Sequence, residues 1–460
     1  MPLPRRHLLA LAPGLLACRP AQAQPAQAQS IDPVDHAIRS MLEADSPADI
    51  ARLAAPLAVA GERQAVPALI HLLYWLDPDR HPPLAEALAA ITGVSHGADW
   101  MAWMNWLQLN PDVHAHPGFP RLLADLLSGL DSRYASLLPP DAPATIRREE
   151  LVWASLTLDG AAPLDHPPLE PAVTADWLAD SDTVLAARIG GIPRAWPLRI
   201  LAWHPIVNDT IGRLSITLAA FPLAGTAILY ATDRRAKPPL TFGTTGLLHR
   251  STELIHDRET GSLWNHLTGR PVLGPAVLGP LADAESSLVP LPLTTTTWGE
   301  WRAAHPETTV LSRDPARRHD DASIPPLAGY ATASALYFPA ALPDDRLPAK
   351  SRVFAVRWGI AARAWPLARF AGGALLHDRL ADTHIIVLGN GAAEDLRAYR
   401  GAAPTLRRAV DGTLADDSGR WTLAEDVLTG PAGQILPRLP GLTAYWFAWS
   451  NAFPGTLADT

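Results

Sequence analysis

The chain has 460 residues, 48% of them apolar and 18% charged, with a formal charge of −8 at pH 7. Its length suggests about three domains with room for large cores, and its composition excludes a disordered protein. The acidic balance argues against a nucleic-acid partner, which would need a basic face.

The N-terminus reads as an export signal. Arg5-Arg6 precede an apolar run from Leu8 to Ala17 that is too short to span a bilayer. Two exits from it stay open. Leu15-Leu16-Ala17-Cys18 resembles a bacterial lipobox, with Cys18 as the acylated residue, and Ala21-Gln22-Ala23 is an A-x-A site for ordinary signal peptidase. The Arg pair also permits twin-arginine export. The expected location is therefore the periplasm, or the cell envelope through a lipid anchor. Cys18 is the only cysteine, which excludes an intramolecular disulfide and thiolate chemistry. No later stretch reaches 18 consecutive apolar residues, so any membrane contact is expected to run through a lipid.

Residues 1–29 read as signal and tether, and residues 30–138 as a helical domain. Ser46-Pro47-Ala48-Asp49 supplies a cap, a first-turn Pro and an early acid, and Gly61 ends that helix. Val66, Leu69, Ile70, Leu73 and Leu76 recur at helical spacing. Leu84, Leu88 and Ile91 form a third stripe closed by Gly93, and Trp100, Trp103, Met104 and Leu107 a fourth. Short paired helices of this kind resemble HEAT-type repeats, whose stacked faces serve as scaffolds.

Pro139 to Pro143 marks a break, after which strand patterns dominate. Val184 to Ile189, Gly190-Gly191 and Ile192 to Trp196 predict a hairpin with a Gly turn. Leu214 to Leu218 alternates as a half-buried strand. The region is written twice. Arg194-Ala195-Trp196-Pro197-Leu198 returns as Arg363-Ala364-Trp365-Pro366-Leu367, 169 residues later. Trp298-x-x-Trp301 with Thr308 returns as Trp446-x-x-Trp449 with Thr456, 148 residues later. Each Pro should stop a strand and start a turn or helix, and the paired Trp should fill a core. The predicted division is a first half at 146–312, a linker at 313–350 and a second half at 351–460. The fold class expected is α+β: a helical HEAT-like N-terminal domain followed by a β-rich, internally duplicated region.

Several motifs in order carry a family resemblance. They are Arg194-Ala195-Trp196-Pro197-Leu198, Trp203-His204 with Val207-Asn208-Asp209, Phe242-Gly243, Gly246-Leu247-Leu248, Asp257-Arg258 with Thr260, Ser262-Leu263-Trp264 and Trp446-Phe447-Ala448-Trp449. From about residue 150 to 458 the chain resembles the family catalogued as domain of unknown function 3179. The resemblance implies an exported or envelope-associated bacterial protein and no defined activity. It also implies a Cys-Pro-Leu-Cys-Gly-Thr segment able to bind metal or cycle redox. This chain departs there: the segment is Phe221-Pro222-Leu223-Ala224-Gly225-Thr226, and the usual His-Glu before Val-Asn-Asp is His204-Pro205.

The candidate catalytic residues are His204 and Asp209, a general base and an orienting carboxylate, with Asn208 beside them. The plainer alternative is a turn begun by Asn208-Asp209. Asp378 repeats Asp209 in the second half, whereas Gly373 and His377 replace His204 and Asn208. Candidate metal ligands are His204, His249, His256 and His266, without the tight spacing of a zinc motif. Candidate binding residues are Asn208, Asp257, Arg258 and Trp264, although Asp257 to Gly261 also reads as a charged turn. Gly243-Thr244-Thr245-Gly246 lacks the Ser of a nucleophile elbow, which leaves its glycines a backbone role. No phosphate loop or dinucleotide fingerprint names a cofactor.

The function expected first is a non-catalytic envelope protein that binds a ligand or partner at the junction of the halves. The competing expectation is a metal-assisted or His/Asp-dependent hydrolase centred on His204 and Asp209. A third is a lipid-tethered scaffold without a small ligand.

Overall fold

Capping side chains punctuate the N-terminal helices. The computed structural model describes residues 32–234, 237–278, 287–314, 326–409 and 411–458. The Ser46 hydroxyl accepts from the Asp49 N–H and starts helix Pro47–Ala60. Gly61 ends it at φ +63°, and Gly93 ends helix His81–Thr92 at φ +74°, a left-handed conformation that side chains resist. Helices Pro33–Leu42, Val66–Trp75, Trp100–Leu109, Phe119–Ser128 and Tyr134–Leu137 complete the region. The signal and tether at 1–29, Cys18 included, lie outside the described residues.

These helices do not close a core by themselves. Leu69, Leu72, Leu88, Trp103 and Leu127 share one apolar cluster with Leu247, Ile255 and Trp264 of the strand region and with Phe447 and Ala448 near the C-terminus. Each fully buried side chain of this kind contributes about 1.5–3 kcal/mol, so the helices are fastened by burial. Polar clamps fix the register. The His71 ring stands 2.9 Å from the Glu149 carbonyl, Tyr74 donates to the Trp153 carbonyl at 2.7 Å, and Gln108 accepts from the Ala341 N–H at 2.7 Å.

The remainder is strand-rich, so the molecule is mixed α+β. The first sheet runs in the order Leu151–Trp153, Phe242–His249, Thr252–Asp257, Leu263–Asn265 and Arg270–Leu273. A second has the order Val289–Leu291, Thr226–Ala231, Leu214–Phe221, Ile206–Ile211 and Leu164–Asp165. Its third strand differs from the half-buried expectation. Ile216 to Phe221 are buried on both faces: Ile216, Leu218 and Ala220 enter one core, while Ala219 and Phe221 enter the core shared with the helices.

Two further sheets have matching connections. One has the order Thr294–Thr297, Thr183–Ile189, Ile192–Pro197, Thr309–Leu311 and Leu169–Pro171. The other has Gly441–Tyr445, Arg352–Trp358, Ala361–Pro366 and Leu457–Ala458. In each, an antiparallel hairpin receives a parallel strand on its second arm. Val184 faces Pro197 and Arg194 lies beside Thr309; Val353 faces Pro366 and Arg363 lies beside Leu457. Pro197 and Pro366 end their strands, and a turn of helix follows each. The helices Trp298–Ala304 and Trp446–Ala452 each bury two Trp. Trp301 donates to Thr308 at 2.9 Å and Trp449 to Thr456 at 3.0 Å. An eight-stranded sheet, beginning at Ala374–Leu380, completes the strand-rich region.

Candidate functional site

A strap formed by residues 159–166 gathers most of the predicted polar residues. Asp159 sits at φ +56° and accepts from the Thr244 N–H at 3.1 Å, with the His256 ring 3.4 Å away. Burial alone would raise the Asp159 carboxyl, but His256 beside it holds it below the usual range. Gly243 makes the approach feasible, because a Cβ there would stand 2.1 Å from Asp159 Oδ1 and 2.4 Å from His256 Nε2. Further along, Asp165 accepts from Asn208 and from Arg258, each at 2.8 Å. His166 then lies 3.7 Å from Asp209.

The strap does not assemble the expected catalytic pair. Asp209 is bound by Arg194, from the Arg-Ala-Trp-Pro-Leu segment, and the His204 Nδ1 donates to the Ala162 carbonyl at 2.8 Å. Among the described residues no hydrogen bond or ion pair joins His204 to Asp209. The turn alternative is corrected as well: Asn208 and Asp209 lie inside strand Ile206–Ile211, opposite Thr217 and Ile216. Asp378 behaves like Asp209. It lies in a strand and accepts from Arg363 at 2.7 Å.

The predicted binding residues are spent on the fold. Asn208 uses all four of its hydrogen-bonding positions: it donates to Asp165 and the Phe242 carbonyl and accepts from Thr217 and the Phe242 N–H. Asp257, fully buried, ties the turn through Thr260 and takes the indole N–H of Trp264 at 2.7 Å. Trp264 is itself wholly buried, edge-on to Phe242. Arg258 alone of the four keeps an exposed portion.

The four histidines named as metal ligands do not converge either. His204 and His256 face different parts of the strap, and His249 pairs with Glu150 at 3.2 Å. His266 is fully buried, its Nδ1 donating to the Glu253 carbonyl at 2.7 Å and its Nε2 2.8 Å from the Thr226 hydroxyl. Among the described residues no three His, Cys, Asp or Glu are grouped to hold a metal ion. His266 belongs instead to a buried cluster at the Phe221–Thr226 turn. Its ring lies 4.7 Å from that of Phe221, and burial pushes it down to about 4, against the pull of the Glu253 carbonyl. Burial likewise pushes the Glu253 carboxyl up to about 8, although its own N–H and that of Leu223 bond it. Its Oε2 is buried without a hydrogen-bond partner among the described residues.

A cavity of about 360 Å³ lies against the first sheet. His249 and Arg250 come from one hairpin, Asn265 and Arg270 from the next, and Ala448 and Asn451 from the C-terminal helix. Arg250 is held in place by Glu150 at 2.7 Å and by Asn451 at 3.2 Å. Burial alone would raise Glu150, but His249 and Arg250 hold it down to about 2, so it is ionised throughout the neutral range.

Residues 159–456 match the model of a family described as a protein of unknown function, DUF3179. The chain belongs to this family. Neither the curated proteins nor the solved structures contain a match. The DUF3179 span opens at Asp159. It therefore takes in the whole strap and all the cavity residues named above, but not Glu150 or the N-terminal helices. Asp159, Asp165, Glu253, Arg270 and Asn451 carry no motif that marks them in the sequence. The Arg194–Asp209 pair was marked, since Arg363 and Asp378 repeat it at the same spacing of 15 residues.

Proposed function

We propose that this DUF3179 protein is an exported bacterial envelope protein that binds a small molecule without transforming it, in a cleft between two copies of one module. The observation that carries the reading is the cavity, to which residues 249–277 of the first half and 448–452 of the second both contribute. Its volume is at the small end of the range for ligand sites. It combines a few fixed polar groups with the apolar faces of Val272, Val277 and Ala448, the mixture that orients a ligand. Support for two copies comes from the shared strand order, the paired Trp–Thr bonds and the two Arg–Asp pairs. The helical region, read as HEAT-like, supplies a docking surface beside the cleft.

Export rests on the Arg5–Ala17 signal, with Cys18 as the candidate lipid-bearing residue. If Cys18→Ser leaves both membrane partition and mature size unchanged, the lipid branch is wrong. The resemblance implies that a Cys pair once stood at Phe221 and Ala224, so thiol chemistry is absent from the reading. Hydrolysis centred on His204 and Asp209 draws no support from their geometry, since Arg194 holds Asp209.

The test is native mass spectrometry of protein taken from the envelope fraction without unfolding. A stoichiometric small molecule is expected, lost in an Ala452→Phe variant that fills the cavity from the helix end. An apo mass for the wild type, or an adduct unaffected by Ala452→Phe, contradicts the reading.

A further inference from the structure

The polar groups around the cavity differ in what they have left to offer. Arg250 is spent: Glu150 holds its Nε and Nη2 at 2.7 and 3.3 Å, and Asn451 holds its Nη1 at 3.2 Å. Asn451 is spent as well, since its amide donates to the Ala341 and Phe447 carbonyls at 3.0 and 2.9 Å. Arg270 is exposed, and among the described residues no Asp or Glu lines the cavity. The capacity that remains is neutral.

His249 is the first group with something to give. It ends the Phe242–His249 strand and lines the cavity, with its Nε2 3.2 Å from the buried Glu150 carboxylate. An ionised carboxylate can only accept, so in the neutral ring Nε2 carries the proton and Nδ1 presents a lone pair. Nδ1 has no hydrogen-bond partner among the described residues, and it is not buried. The turn that follows is strained. Arg250 and Ser251 sit at φ +52° and +58°, values that glycine takes more cheaply. A side chain at Arg250 brings a guanidinium to Glu150, which also holds Arg147 at 3.0 Å. Two arginines thus fix one carboxylate, and that carboxylate fixes the His249 ring. Asn265, on the same cavity, supplies the complement. Its Oδ1 accepts from the Leu267 and Thr268 N–H groups at 2.9 and 3.0 Å, while its own amide N–H groups have no partner among the described residues. An acceptor nitrogen and an amide donor on one cavity suit a group that both gives and takes a hydrogen bond, which a hydroxyl does without charge.

We infer that the cavity takes a neutral hydroxylated small molecule, a polyol or a sugar, with His249 Nδ1 accepting from one ligand hydroxyl and the Asn265 amide donating to another. This rests on the ligand-binding reading above and narrows it to one class. His249 is the residue that sets specificity, and Glu150 is the positioning residue behind it. A ligand carboxylate would set its charge against the Nδ1 lone pair, with the Glu150 carboxylate on the far side of the ring.

Two amides separate the ligand contact from the scaffold. An Asn side chain places its amide near the position of Nδ1, and a Gln side chain near that of Nε2. The experiment is titration calorimetry of the full chain at about pH 8, above the ordinary titration of an imidazole, with glucose, glycerol and succinate as probes. Glucose or glycerol is expected to bind the wild type, and which of them binds distinguishes a ring sugar from a linear polyol. His249→Gln should weaken that binding roughly tenfold, whereas His249→Asn retains most of it. Thermal melting should run the other way, with His249→Asn below the wild type, because Glu150 loses a partner, and His249→Gln close to it. Binding that is equal in all three proteins, or that falls in step with melting, overturns the role of His249. Succinate bound in preference to both neutral probes overturns the neutral class. No binding of glucose or glycerol at millimolar concentration overturns the hydroxyl proposal. A native mass that still carries an adduct then leaves the ligand-binding reading standing, and an apo mass removes it as well.

Discussion

Replacing Glu253 by Gln should stabilise the protein at neutral pH and remove one limb of its pH dependence. The Glu253 carboxyl ordinarily titrates at 4.5 and is pushed up to about 8 by burial. A raised acid contributes stability that is complete below pH 4.5 and is lost as pH climbs to about 8. Each pH unit in that window costs about 1.4 kcal/mol, so by pH 7 the penalty is about 3 kcal/mol. His266, bonded to the Glu253 carbonyl, works in the opposite sense. Its ordinary value of 6.5 is pushed down to about 4, so its contribution is complete above pH 6.5 and is lost as pH falls to about 4. Between pH 4.5 and 6.5 the two slopes cancel, and above 6.5 the loss belongs to Glu253 alone. In Glu253→Gln the neutral amide still accepts from the Leu223 N–H, and only the His266 slope survives. Denaturant unfolding from pH 4.5 to 8 reads this directly: a near-plateau and then a fall in the wild type, and a rise to pH 6.5 followed by a plateau in the variant. Matching curves, or a variant less stable at pH 7.5, would refute the burial of this carboxyl.

Other substitutions probe the frame around the site. Asn208→Ala removes four internal hydrogen bonds and should cost about 3 kcal/mol in denaturant unfolding. Gly246→Ala should cost about 2 kcal/mol or more, since Gly246 sits at φ +67° and a Cβ there would meet the Leu156 carbonyl oxygen at 1.9 Å. Thr308→Val and Thr456→Val, which remove the equivalent Trp partners, should cost similar amounts of about 1–2 kcal/mol each. Strongly unequal losses would weigh against equivalent modules.

Local chemistry was the legible part of this chain. Gly61 and Gly93 end helices because only the backbone conformation at that residue matters, and the Gly190-Gly191 turn, with both φ values positive, is equally local. The signature motifs placed the family span correctly for the same reason. Asn208-Asp209 misled, since an Asn-Asp pair starts turns by bonding its own backbone, whereas here Phe242 and Thr217 satisfy Asn208 from neighbouring strands. Trp264 and Asp257 read as candidate binding residues because nothing in the sequence shows that each satisfies the other. His249 suggested a metal for want of its partner, Glu150, about 100 residues earlier and on no shared periodicity. The cavity was least visible. It is built from turns and strand ends within residues 249–277 and from the helix at 448–452, and nothing in their local pattern distinguishes them from ordinary surface.

The most direct measurement of the central claim is a crystal structure of the protein isolated from the envelope fraction without ligand exchange. Density for a small molecule seated between the Arg270–Leu273 strand and Ala448 of the C-terminal helix is the expected result. An unoccupied cavity in protein whose native mass is that of the polypeptide alone would contradict it.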